Sequence, residues 1–215
     1  MEGKFGKVIR NEAFMLQKDA ALTNHGSYGT VPKCVFEYQQ KLLLETEDHP
    51  DAWFRFKNIR YWRSSLETAA EFVGAKVENL TFVQNATTGM NAVVRSVDFK
   101  KGDVLLIHNW TYNAVKNACK YVCDGAGAEL KMLDLDTPVI TKEDIIRKYK
   151  EYLDETPNVR LAVIDHITSG SAVIFPVKEL TSLLQSKGIL VAIDGAHAPG
   201  QVLYSSTNVI AQIVE

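Results

Sequence analysis

The stretch LVAIDGAHAPGQ, Leu190 to Gln201, decides how this chain is read. Its first half is apolar at successive positions, the pattern of a strand covered on both faces of a sheet. Its second half breaks into Gly, Ala and Pro, residues that end a strand and open a turn. The run therefore delivers Asp194 and His197 to the carboxyl end of a buried strand.

Working back from that strand, the pattern alternates. Strands are predicted at Leu80–Val83, Val104–His108, Glu129–Leu133, Val159–Ile164 and Gly188–Ile193. Between them, helices are predicted at Thr88–Ser96, Tyr112–Cys123, Lys142–Leu153 and Val177–Lys187. The runs LLI and LAVI repeat the continuous apolar pattern, so the fold class is α/β with a mostly parallel sheet flanked by helices. Two helices precede the sheet. One starts at Pro32 and runs to about Glu47, and one spans Tyr61 to Val73 and stops at Gly74, a residue suited to the left-handed position after a helix. The expected organisation is an N-terminal helical segment over 1–74, a sheet domain over 75–201 and a divergent tail over 202–215.

Composition narrows the function classes. The 215 residues are 46% hydrophobic and 23% charged, enough to bury a substantial core. The 24 basic and 26 acidic residues are well mixed, leaving no electrostatic footprint for nucleic acid. No apolar run approaches the roughly 20 residues that span a bilayer, so no membrane partner is expected. MEGKFGKVIRNEAF lacks the apolar centre of a signal peptide, and a cytoplasmic location is the expectation. Cys34, Cys119 and Cys123 are too few and too oddly spaced for a disulfide framework or a zinc site, so no metal is expected. Cys119 and Cys123 lie four apart on one predicted helix face, which reads as buried structural thiols. No G-x-G-x-x-G follows the first strand and no nucleophile-elbow pattern occurs, which disfavours dinucleotide binding and hydrolysis.

A second motif is QNATTG, Gln84 to Gly89, between the run LTFV and an apolar-periodic helix. It sets two hydroxyls and several unpaired backbone N–H groups at a helix N-terminus, which favours an anion. Taken alone, NATTG also reads as an ordinary helix cap.

Four segments in order, TNHGSYGTVP (Thr23 to Pro32), FVQNATTGMNAV (Phe82 to Val93), DHITSGSAVIFPV (Asp165 to Val177) and LVAIDGAHAPGQ, resemble the class V aminotransferase family of pyridoxal-phosphate enzymes. The likeness runs from about Leu22 to Gln201 and is greatest to the branch of isopenicillin N epimerase-like proteins and ergothioneine-type cysteine-sulfoxide lyases. It implies the large domain of a fold type I pyridoxal-phosphate transferase, the cofactor pyridoxal 5'-phosphate, an amino-acid substrate and a homodimer whose N-terminal helices pack near the active site and the partner subunit.

The resemblance also implies roles for particular residues. Thr87 and Thr88 fall in the phosphate-binding turn. Asp194 falls where a carboxylate keeps the pyridine nitrogen protonated, which makes the ring an electron sink. His197 falls where a hydrogen bond reaches the ring oxygen. Ser169 matches a small polar residue on the same side of the ring, with adjacent Thr168 an alternative in register, while His166 reads either as core or as support. In HNWTYNAV the stacking partner for the ring is Tyr112 or Trp110, and TYNAV favours Tyr112. Tyr112 and His197 are the catalytic candidates. Asn24 and His25 match a loop that closes over substrate, although a glycine-rich turn without function accounts for them equally well.

The lysine that carries the cofactor in this family lies roughly two dozen residues beyond the aspartate, past Glu215. Lys178 and Lys187 flank the helix before Asp194 and are poor substitutes. The run Leu203 to Glu215 departs from the helix, strand and lysine loop expected there, and an unpaired sheet edge beyond Ile193 is expected. Two readings follow. One is a pyridoxal-phosphate enzyme that abstracts an α-proton and then eliminates or epimerises, present here as its N-terminal part. The other is a non-catalytic product that binds cofactor weakly or pairs with a full-length subunit.

Overall fold

The structure, a computed structural model, describes residues 6–135, 141–202 and 211–213. The chain divides into two compact units, Met1–Thr68 and Ala69–Glu215.

The first unit is helical. Helix α1 spans Lys7–Ala13 and α2 spans Lys33–Asp48. A helical run then begins at α3 (Pro50–Ala52), where His49 Nδ1 accepts from the Ala52 N–H at 3.2 Å, with proline at the helix start. The run loosens into a π-helical turn at Trp53–Lys57 and continues as α4 (Asn58–Val73). Sequence periodicity predicted only the part from Tyr61, because the π turn shifts the phase of the apolar positions before it. Lys57 Nζ reaches Glu45 Oε1 at 2.7 Å, tying the π turn to α2. Arg10 donates to the backbone carbonyls of Gln17, Lys18 and Ala20, and so folds the segment after α1 onto that helix.

The second unit is built on a sheet in the order β2-β1-β3-β4-β5, all parallel. Its strands are β1 (Val104–His108), β2 (Glu129–Leu133), β3 (Val159–Asp165), β4 (Leu190–Asp194) and β5 (Ala211–Ile213). The helices are α5 (Ala86–Ser96), α6 (Asn113–Ala126), α7 (Lys142–Glu155) and α8 (Val177–Ser186). β1 is buried at every position, as its unbroken apolar run requires. β2 is an edge strand and shows it, with Met132 exposed and Lys131 paired to Glu129.

Two cores lie on the two faces. Leu106, Ala162, Ile164, Val191 and Ile193 face α7 and α8, where they meet Tyr149, Leu180 and Leu184. Leu105, Ile107, Leu161, Val163 and Ala192 face α5 and α6, where they meet Met90, Val94, Val115 and Cys119. The expected α/β architecture is what the structure has. Local sequence closes several helices: Thr141 caps α7 by accepting from the Asp144 N–H, and Gly127 ends α6 at φ 68°, a left-handed conformation that glycine takes without strain.

Two expectations are corrected. Leu80–Val83 is not a strand: Leu80 is extended, but the run has no ladder partner among the described residues, and Phe82 and Val83 are exposed. Strand propensity cannot supply the neighbour that makes a strand. The outer edge of β4 is not bare, since β5 pairs with it in register from Ala192↔Ala211 to Asp194↔Ile213. Most of the tail reading falls outside the described residues.

Candidate functional site

Each sheet strand carries its chain toward the same end, so the loops that follow β1, β3 and β4 gather at one edge. In parallel α/β sheets ligands bind at that carboxyl edge, beside the point where strand order reverses, here between β1 and β3.

Asp194 is the last residue of β4 and is 7% exposed. Its Oδ1 accepts from the Ala196 N–H at 3.1 Å, so the carboxylate is held against the turn it opens. The turn closes through Ala198 N–H to the Gly195 carbonyl at 2.9 Å, which leaves His197 half-buried between two fixed positions.

The start of α5 lies on the same side. Ala86, its first residue, shares a core cluster with Ala192 of β4 and with Ala196 of the Asp194 turn. Asn85 caps the helix by accepting from the Thr88 N–H at 2.8 Å. The cap residue missed as a separate role is thus Asn85. The hydroxyls of half-buried Thr87 and exposed Thr88 sit on the first turn, with the amide-rich, positive end of the helix dipole behind them.

The structure gives the alternatives that the sequence left open different surroundings. Trp110 packs edge-on against Phe175 at 6.5 Å and belongs to the core, whereas Tyr112, the N-cap of α6, is 48% exposed. Thr168 is buried, its hydroxyl accepting from the Val173 N–H at 2.9 Å and sharing a hydrogen bond with Ser171 at 2.7 Å. Adjacent Ser169 is exposed. His166 is half-buried: its backbone N–H donates to the Asp194 carbonyl at 2.8 Å, and burial pushes its imidazole pKa down.

Asn24 and His25 are exposed and belong to the first unit. The Asn24 carbonyl accepts from Ser27 and Tyr28 N–H groups at 3.3 and 3.1 Å, closing a tight turn. A Cβ at Gly29 would stand 3.1 Å from the His25 carbonyl oxygen, so the turn itself accounts for that glycine.

Sequence reading passed over one pair. His108 ends β1, Asp165 ends β3, and their Nε2 and Oδ2 atoms stand 2.9 Å apart in the interior. The available signal was the repeat of one pattern, LAVID at 161–165 and LVAID at 190–194, each ending a strand on aspartate. An open hollow of about 420 Å³ lies at the other end of α5, where Arg95 sits 4.6 Å over the Tyr121 ring; it holds none of the candidate ligands.

These groups fit pyridoxal phosphate in kind: a capped helix start with two hydroxyls for a phosphate, a buried carboxylate for a ring nitrogen, an exposed phenol ring for stacking. Two of the chain's lysines bear on covalent attachment. Lys178 lies in the first turn of α8 and Lys187 just past its end; α8 packs on the sheet face opposite α5, and Lys187 is paired to Asp154 at 2.7 Å.

Comparison with known proteins bears on the family and the fold. L-cysteine desulfhydrase of Arabidopsis thaliana is 32% identical over 200 residues, covering 86% of this chain and 44% of that protein. Hercynylcysteine sulfoxide lyase of Schizosaccharomyces pombe is 29% identical, covering 91% of this chain and 50% of that protein. The chain thus spans about half the length of the curated relatives it matches. Among solved structures, a C-DES mutant with glycine covalently linked to its PLP cofactor superposes with a TM-score of 0.83 at 16% identity, over 95% of this chain and 54% of that one, a likeness of fold. A family model described as aminotransferase class-V matches residues 52–205, most of the sheet and the helices that lead into it, and the chain accordingly belongs to the class V aminotransferase family.

Proposed function

We propose that this chain is the cofactor-cradling part of a pyridoxal-phosphate enzyme that abstracts the α-proton of an amino acid and acts as a C–S lyase or epimerase. One observation carries the reading: Asp194, the start of α5, Tyr112 and Ser169 all lie at the carboxyl edge of one parallel sheet.

The bound cofactor would supply an electron sink for the bond broken at the substrate α-carbon. The residues of the chain do the rest. Thr87 and Thr88 donate hydroxyl hydrogen bonds to the phosphate beside the free amides of α5. Asp194 holds a proton at the ring nitrogen, and its burial strengthens that ion pair over what water would allow. His197 would hydrogen-bond the ring oxygen, Ser169 would add a polar contact, and Tyr112 would stack on the ring and exclude water from it. The substrate role of Asn24 and His25 rests on the family resemblance of TNHGSYG alone. The similarity to cysteine desulfhydrases and a hercynylcysteine sulfoxide lyase favours a sulfur-bearing substrate and C–S cleavage. The cytoplasmic homodimer belongs to this proposal as well and is tested by fractionation and sedimentation.

A second reading is favoured by the placement of Lys178 and Lys187 on the far face from α5. In it, the 215-residue chain binds the cofactor without a covalent bond, alone or alongside a full-length subunit. One titration separates the two. The purified chain is titrated with pyridoxal phosphate by absorption, reduced with borohydride and weighed intact. Saturable binding without a mass gain supports non-covalent binding by this chain, the second reading. A mass gain means a lysine of this chain serves, and absence of binding overturns both readings.

A further inference from the structure

Behind the strand ends lies a group of buried polar side chains that the cofactor contacts leave unused. His108 and Asp165 are 0% and 2% exposed, and Nε2 lies 2.9 Å from Oδ2. The approach is off the N–H direction, so the contact is an ion-pair distance without an aligned hydrogen bond, and Nδ1 has no hydrogen-bond partner in the described structure. Phe175 stacks on the imidazole at 4.7 Å and 28°. Tyr149 of α7 is wholly buried with its hydroxyl unpartnered.

Such a group does not serve stability well. Buried polar atoms without good hydrogen bonds keep much of their desolvation cost, and apolar replacements of similar volume are often as stable or more so. Its location is what distinguishes it, because both members are the last residues of their strands and each is one step from a candidate ligand loop.

From His108 the connection runs to Tyr112. The His108 N–H donates to Thr111 Oγ1 at 3.2 Å, and the Thr111 N–H returns to the His108 carbonyl at 3.0 Å. Thr111 is buried, and the next residue is Tyr112. From Asp165 the connection runs to Asp194. The following residue, His166, donates its N–H to the Asp194 carbonyl at 2.8 Å and accepts from the N–H of Phe175 at 2.9 Å, the ring stacked on His108. One continuous set of contacts thus links the turn that presents Tyr112 to the backbone that presents Asp194.

We propose that the His108–Asp165 pair is a positioning element that fixes the spacing between the Tyr112 turn and the Asp194 strand end, and so the width of the slot for a flat ring. The inference rests on the reading that these two residues hold pyridoxal phosphate.

The test uses the whole chain, with Asp165→Asn to remove the charge at constant shape and His108→Phe to keep the stacked ring without its nitrogens. Leu153→Ala, a core truncation in α7, is the control for general loosening. Two readouts are taken: hydrogen exchange of the Thr111 and His166 amides without ligand, and affinity and induced circular dichroism with pyridoxal phosphate. Both pair variants are expected to speed exchange at the two amides about tenfold, to weaken the cofactor about tenfold and to change its dichroism. The double variant is expected to be no worse than the poorer single one. Leu153→Ala is expected to lower the Tm without those changes. Unchanged exchange in variants that fold, or equal changes in Leu153→Ala, overturns the positioning role. If the unaltered chain binds no pyridoxal phosphate, the proposed function falls, and the exchange measurement alone decides whether the pair positions the loops.

Discussion

β3 and β4 end alike and do different work. Asp165 and Asp194 are partners in the parallel register, both are buried, and both follow an apolar run closing on Ile-Asp. Asp165 has an imidazole 2.9 Å away in the interior, whereas Asp194 receives the backbone N–H of its own turn. The neighbour accounts for the difference. β3 lies beside β1, which contributes His108, while β4 lies between β3 and β5 at the end of the sheet that α5 approaches. Asp165 meets a side chain from a neighbouring strand in the interior, whereas Asp194 opens the turn that carries His197 at the carboxyl edge of the sheet.

The sharpest way to break the comparison is to remove one member of the interior pair. Asp165→Leu leaves His108 buried without its partner and is expected to cost about 3–5 kcal/mol of stability, read by urea unfolding. Replacing both, as His108→Leu with Asp165→Leu, is expected to recover most of that loss. A single variant as stable as the parent would show the pair to be energetically idle.

Asp194→Asn is expected to behave in the opposite way. Asparagine keeps the shape and an acceptor oxygen for the Ala196 N–H, so unfolding stability should change less than in Asp165→Leu, while pyridoxal-phosphate affinity falls roughly 10- to 100-fold. Isothermal titration of parent and variant checks this, and equal affinities would remove Asp194 from the site.

The same edge can be probed at α5. Asn85→Ala removes the cap and is expected to cost about 1 kcal/mol of stability, with a smaller loss of phosphate-dependent affinity. Comparing pyridoxal phosphate with pyridoxal isolates that part, since a phosphate cradle should make only the phosphorylated ligand sensitive.

The smallest effect concerns His166, which bridges the two strand ends. Burial lowers its pKa in the folded chain, so the unfolded chain takes up more protons as pH falls. Its contribution to stability is therefore present above the ordinary histidine range and is lost as pH falls through that range toward the lowered folded value. His166→Asn should flatten the stability profile between about pH 7 and 5 if this imidazole is its source.

Sequence patterning captured elements whose burial is set locally. VLLIH reads as a strand because every residue faces a core, and its bounds match β1 residue for residue. The helix end at Gly74, at positive φ, follows from backbone freedom alone, whereas α6 runs past the expected end at Cys123 to Gly127. What patterning could not supply was neighbours. Leu80–Val83 has the propensity of a strand and no ladder partner in the described structure, and the π turn at Trp53–Lys57 shifts the phase of the apolar positions and so hides the helical run before Tyr61. In the site, Asp194, Thr87 and Thr88 stood out because they share short motifs, and TYNAV favoured Tyr112 over Trp110, while the packing of the indole against Phe175 depends on a neighbour distant in sequence. The His108–Asp165 pair was invisible for the same reason, since its members meet only once β1 and β3 are adjacent.

The cysteines give the two units separate chemical labels. Cys34 is exposed on α2, while Cys119 and Cys123 are buried in α6, and burial pushes the Cys119 thiol up to about 12. A thiol reagent at neutral pH should therefore modify the native chain once, at Cys34, because reaction needs an accessible thiolate. Loss of structure in the second unit would release the other two. Counting modified thiols by mass across a denaturant series then follows the sheet unit alone, with the first-unit label as an internal standard in the same spectrum.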